Sequence, residues 1–245
     1  LGLGTSSVVA VPTKAFKMDV AALAAKLDEL KRAKRKVVAI VAVAGTTEAG
    51  SFDPIRQIAT LAKAHGAWLH VDAAWAGGLI FSPSTAALFD GVELADSITV
   101  DAHKSLFAPM GFGMVLYRDP YASAAIVKTA GYIIRKDSPD LGKYSLEGSR
   151  PAQVLHLHAS LRALGKNGLR VVMDHKLQVA SEFARLIESD SDFELMMHPE
   201  SDILLFRAII KPASTNGGAK PSPRRASPAS GEAPPPRSSS PGGSP

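Results

Sequence analysis

Two short apolar runs in this chain each lead to a reactive polar residue. Trp68-Leu69-His70-Val71 closes on Asp72, which two alanines follow. Ser97-Ile98-Thr99-Val100 leads through Asp101-Ala102-His103 to Lys104. A lysine amine can form an imine with an aldehyde, and a carboxylate can hold a ring nitrogen in its protonated form. These are the two protein groups that pyridoxal phosphate (PLP) most needs. Asp72 and Lys104 lie 32 residues apart. That leaves room for one helical or loop excursion and a return to a neighbouring strand of the same sheet.

The elements that must position them are legible as an alternation of strands and helices. Val8–Val11 reads as a strand. Asp19 can cap the next helix, whose Val20, Leu23, Leu27 and Leu30 recur at helical spacing. The basic cluster from Lys31 to Arg35 follows near its C-terminus, where the helix dipole favours positive charge. Val37–Ala44 is apolar on both faces, the pattern of a central parallel strand. Pro54 suits the first turn of a second helix, with Ile55, Ile58, Ala59 and Ala62 on one face and Gly66 at its end. Trp68–Asp72, Ser97–Asp101 and Met114–Tyr117 read as further strands. This alternation predicts an α/β fold with a parallel sheet. Ligands collect at the carboxyl ends of such strands, and Thr47, Asp72 and Lys104 all fall just past one.

After Arg150 the pattern is helical. Val154, Leu157, Leu161 and Leu164 precede Gly165, and Val171, Val172, His175, Val179, Phe183 and Leu186 mark a second long segment. Phe193–Met196 and Ile203–Phe206 could begin a small second sheet. From Pro212 to Pro245 the chain holds nine of its 17 prolines and little apolar bulk, a composition expected to be disordered. The same tail, from Lys211 on, carries five basic residues and one acid. It therefore accounts for most of the net charge of +5. The remainder has no basic surplus to bind nucleic acid. The longest apolar run, Val37–Ala44, is too short to cross a bilayer. There is no cysteine, which excludes disulfides and thiolate metal sites and is compatible with the cytoplasm.

The segments GTTEAGSFDP, WLHVDAAWAGG, GVELADSITVDAHK and LEGSRP, in that order and spacing, resemble the group II PLP-dependent amino-acid decarboxylases, the family of glutamate, aromatic amino-acid and diaminobutyrate decarboxylases. The resemblance runs from about Leu1 to Arg207. It implies the large domain of the aspartate-aminotransferase type, fold type I, incomplete at both ends. Residues 1–150 would be the PLP-binding portion and 151–210 a helical segment with the start of a C-terminal small domain, with 211–245 as the low-complexity tail. It implies PLP as cofactor, an amino acid as substrate, no metal and a homodimer.

Carried over residue by residue, the resemblance makes Lys104 the Schiff-base lysine and Asp72 the partner of the pyridine nitrogen. Ala74 is the small residue under the ring, and Thr47 a hydroxyl supporting Asp72. His103 binds the phosphate or orients the imine, or is a structural histidine. Tyr132 matches a tyrosine that protonates the substrate carbon, or packs locally. Ser149 and Arg150 match interface positions where a phosphate or carboxylate role is open, and His70 is structural. Ala102 stands where the family usually has proline or glycine. The family's phosphate-cradling helix start, its ring-stacking histidine and its N-terminal arm are expected upstream of Leu1, so the chain as given is expected to be a fragment that binds PLP weakly. Two alternatives stay open: a PLP-dependent carbon–carbon lyase of the sphingosine-phosphate lyase type, and a non-catalytic remnant.

Overall fold

Asp19 begins the first long element as its sequence suggests. Its carboxylate accepts hydrogen bonds from the backbone N–H groups of Ala21 and Ala22. An aspartate cap of this kind stabilises a helix by about 1 kcal/mol. The computed structural model describes residues 2–128, 130, 137–139, 141–145 and 151–210. Two short antiparallel strands, β1 (Thr13–Lys14) and β2 (Lys17–Met18), precede helix α1 (Val20–Arg32). Then follow β3 (Ala39–Val43), α2 (Ile55–Ala64), β4 (Trp68–Asp72), β5 (Ser97–Asp101), the single turn α3 (Ala102–Ser105) and β6 (Gly113–Tyr117). The helical span α4 (Val154–Ser189) breaks at Gly165, whose φ of 60° no helix contains. It is two helices meeting where the sequence places its glycine. A final antiparallel pair, β7 (Phe193–Leu195) and β8 (Phe206–Ala208), lies in the same compact unit, which runs to Ile209.

β3, β4, β5 and β6 form one sheet in that order. The first three are parallel, as expected, and β6 is antiparallel to β5. The short return from α3 to β6 explains the reversal, because a parallel neighbour needs a crossover of a dozen or more residues. Between β4 and β5 the excursion consists of 3-10 segments at Ala76–Phe81, Pro83–Phe89 and Val92–Leu94.

The main core lies on one face of this sheet. Ile40, Ala42 and Ala44 alternate with Leu69, Val71 and Ala73 against Leu23 and Leu27 of α1, and Ile55, Ile58, Ala59 and Ala62 of α2. Full burial of a leucine or isoleucine side chain contributes about 1.5–3 kcal/mol. Met173 of α4 joins this core, so the second half of α4 packs with the sheet unit. Phe52 and Phe89 meet edge to face at 5.1 Å. Arg56 on α2 reaches Asp90 and Glu93 at the end of the excursion. Its guanidinium holds the Asp90 carboxyl below the usual range.

Three expectations need correcting. Val8–Val11 is not a strand, and Val8 is 76% exposed. A β-branched run is strand only where another strand pairs with it. β3 is not central: among the described residues it is an edge strand, and Val38 and Val41 are 70% and 50% exposed. Its outward face is continuous with Trp68, His70 and Asp72 of β4. The second strand of the last pair lies at Phe206–Ala208, not Ile203–Phe206. The segment before it is held by other contacts. Glu200 accepts from Phe52 N and pairs with Lys17, Asp202 accepts from Trp75 Nε1, and Ser201 is buried against Gly50.

Candidate active site

Asp72 is the last residue of β4 and stands opposite Thr99 of β5. Two backbone bonds beyond that pair tie the strand ends together: Ala73 N donates to Thr99 O at 3.0 Å, and Asp101 N donates to Ala74 O at 3.2 Å. The Asp72 carboxylate is half-buried. Its Oδ1 accepts from Ala74 N at 3.0 Å, and Oδ2 has no hydrogen bond among the described residues. Parallel strands lie about 4.8 Å apart, so Ala73 and Ala74 run beside Val100 and Asp101 where the two strands end.

Lys104 sits in α3, the turn that continues β5. Its Nζ lies 3.0 Å from Asp101 Oδ2, with side chains 29% and 18% exposed. Asp101 occupies the N-cap position of that turn, yet its side chain makes no capping bond. His103 donates through both its backbone N and its ring Nδ1 to Phe112 O, at 3.2 and 3.0 Å. A carbonyl only accepts, so Nδ1 carries the proton and Nε2 is the ring atom left for another partner. The turn is anchored from below by Ala102 and Leu106, packed in a second cluster with Leu157 and Leu169 of α4.

The neighbouring 3-10 segment locks the turn in place. Gly78 N donates to Ser105 Oγ at 3.1 Å, and Ser105 is buried. A Cβ on Gly78 would lie 2.4 Å from that oxygen, and one on Gly77 would lie 2.8 Å from Val100 Cγ1. The paired glycines of WAGG let this backbone touch the strand and turn that carry Lys104.

Thr47 lies in the loop after β3, exposed, and no hydrogen bond joins it to Asp72 among the described residues. Its neighbour Thr46 organises that loop, with Oγ1 3.0 Å from Ser51 Oγ and accepting from Ala49 N and Ser51 N. Both ring nitrogens of His70 meet hydroxyls: Ser97 Oγ at 2.8 Å and Thr99 Oγ1 at 3.1 Å. Tyr132, Ser149 and Arg150 lie outside the described residues. The residue that sequence reasoning missed is Asp101. The signal was present, because an acid three residues before a lysine shares its face once the segment turns helical.

An amine on one strand's extension, a carboxylate with one oxygen unengaged at the end of the next strand, and a small residue beside it suit a pyridoxal cofactor. Residues 3–209 match the pyridoxal-dependent decarboxylase conserved domain. An aspartate 1-decarboxylase of Aliivibrio fischeri is 41% identical over 210 residues, which cover 85% of this chain and 38% of that protein. The crystal structure of mouse CSAD in apo form superposes with a TM-score of 0.79 at 29% identity, covering 85% of this chain and 44% of that one. That of Oryza sativa TDC with PLP and tryptamine gives 0.80 at 25% identity, covering 85% and 44%. The chain spans about two fifths of the length of the curated relatives it matches. With the domain match running along most of the chain and these neighbours sharing its fold, the chain belongs to the pyridoxal-dependent decarboxylase family, of fold type I, whose cofactor is pyridoxal phosphate.

Proposed function

We propose that the protein is a PLP-dependent amino-acid decarboxylase in which Lys104 bonds covalently to the cofactor's aldehyde and Asp72 holds its pyridine nitrogen. The observation that carries this reading is that Asp72 ends β4 and Lys104 lies one turn past the end of the adjacent β5, the two strand ends being tied by Ala73, Ala74 and Asp101. When bound, the cofactor supplies an electron sink for the bond to the departing carbon dioxide. The chain's own groups set the conditions for that. Asp72 Oδ2 favours the protonated pyridine nitrogen, while the N–H of Ala74 fixes the carboxylate through Oδ1. Ala74 leaves room for the ring. His103 offers Nε2 to the phosphate or to the lysine, with Nδ1 fixed by Phe112.

Thr47, Tyr132 and Ser149 enter this reading on the positions of the family's motifs. Thr47 is the loop hydroxyl that the motif sets near Asp72, a contact not made among the described residues; Tyr132 delivers a proton to the substrate carbon, and Ser149 contributes to the phosphate site. Residues 1–150 form the cofactor-bearing portion, and 151–210 lead into the C-terminal domain. The substrate is an amino acid, and the protein works as a cytoplasmic homodimer. Among the described residues no helix is long and apolar enough to cross a membrane.

Borohydride reduction in the presence of PLP, followed by peptide mapping, tests the central assignment. The label is expected on Lys104; a label on Lys63 or Lys128 instead overturns it. Carbon dioxide release from aspartate, glutamate, 2,4-diaminobutyrate and aromatic amino acids then tests the activity and sorts the substrate class.

A further inference from the structure

We infer that Asp101 is a positioning residue of the site: an ion-pair latch that holds the Lys104 ammonium and must open before Nζ can bond to an aldehyde. The inference rests on the reading of Lys104 as the cofactor's lysine and extends it to a residue three positions away.

Three observations converge. Lys104 Nζ and Asp101 Oδ2 are 3.0 Å apart, and this is the ion pair of either group among the described residues. Asp101 stands at the N-cap of α3, where an aspartate ordinarily accepts from the backbone N–H groups of the first turn, but its side chain makes no such bond. The carboxylate is turned to the lysine instead. Finally, the strand opposite is shaped for it. Gly113 pairs with Asp101 across β5 and β6, and a Cβ there would come within 2.7 Å of Asp101 Oδ1.

The chemical consequence is a competition. A lysine attacks an aldehyde carbon with its nitrogen lone pair, which an ammonium held against a carboxylate does not offer. Whenever Lys104 is not covalently engaged, Asp101 keeps its Nζ tied at the end of β5. Removing the carboxylate should make Lys104 more reactive, which is opposite to the effect of removing a group that merely supports the turn.

The test uses formaldehyde with a borane reductant, an uncharged probe that needs no cofactor site. Methylation of Lys104 is measured by peptide mapping relative to Lys14 and Lys63, which are exposed and make no ion pair among the described residues. In the unmodified chain the Lys104 ratio should rise about twofold between low salt and about 1 M salt, because salt screens a partly exposed pair. D101N should raise it about twofold to fivefold at low salt, the range such a pair supports, and abolish the salt dependence. G113A, which crowds the carboxylate without removing its charge, should act in the same direction. A Lys104 ratio that is flat with salt in the unmodified chain, or unchanged or lowered in D101N, overturns the latch. The salt series needs no variant, so a misfolded variant does not remove the test. PLP mapping that misses Lys104 overturns the cofactor assignment instead, and the methylation ratios stay separate from it.

Discussion

Gly78→Ala tests whether the lysine turn is held by contact with the 3-10 segment beside it. The added Cβ would lie 2.4 Å from Ser105 Oγ and 2.7 Å from Ser105 Cβ, and 3.3 Å from a Leu106 methyl. Ser105 and Leu106 are buried, so they cannot swing into solvent. Forcing one carbon into a packed site costs about 1–3 kcal/mol. Displacing Ser105 also breaks its bond from Gly78 N, worth about 1 kcal/mol. The sum is roughly 2–4 kcal/mol, which lowers the melting temperature of a protein this size by roughly 4–16 °C. Urea unfolding followed by circular dichroism measures it. Gly66→Ala is the contrast: Gly66 has φ +60° but nothing within 4 Å of its Cβ, so only backbone strain is added, about 1–2 kcal/mol. The double variant Gly78→Ala/Ser105→Ala should recover part of the loss, since it removes the nearest clashing atom. A Gly78→Ala cost below about 0.5 kcal/mol, or strict additivity with Ser105→Ala, refutes the close-contact argument.

Three further outcomes are expected. Asp72→Asn should lower decarboxylation about 100-fold, the usual consequence of losing a preorganised electrostatic partner, with little change in melting temperature; near-parental turnover defeats the role given to Asp72. Asp53 is buried, and its two oxygens accept from Met18 N at 2.7 Å and Val43 N at 2.8 Å. Asp53→Ala should therefore destabilise by about 2–4 kcal/mol, and a loss under about 1 kcal/mol in urea unfolding contradicts this. Asp90 has its carboxyl lowered by Arg56. Its contribution to stability is present above the unfolded carboxyl range and is lost as pH falls through the lower folded value. The stability gap between the parent and Arg56→Gln should close on acidification below about pH 4; a gap unchanged down to pH 2 shows that the pair contributes nothing.

The parts of this fold that were legible in the sequence are those where local chemistry and packing agree. Asp19 caps α1 because its carboxylate reaches two amide groups in its own turn. Ile55, Ile58, Ala59 and Ala62 are buried together because helical spacing puts them on one face. The places of Asp72 at the end of β4 and of Lys104 one turn past β5 were readable because the apolar residues define the length of each strand. Other features depended on partners distant in sequence. Whether Val8–Val11 becomes a strand, or Val37–Ala44 a central one, is decided by what lies alongside, and neither run carries that information. The excursion between β4 and β5 is rich in alanine and glycine and has no clear period. Its 3-10 segments and the fit of Gly77 and Gly78 against Val100 and Ser105 emerge only in three dimensions. The antiparallel course of β6 follows from a short connection whose two ends look alike in composition.

The contacts of Glu200 join segments that are synthesised far apart in time. Its carboxylate joins Lys17 and Phe52 N, positions 183 and 148 residues earlier, and its neighbour Asp202 joins Trp75 and Lys176. A chain leaving the ribosome adds about 5–20 residues each second. The strand pair near Lys17 therefore waits on the order of ten to forty seconds for the residue that fastens it. During that interval the sheet can assemble from β3, β4 and β5, whose partners are close in sequence, while the segment that pins its flank is still being made.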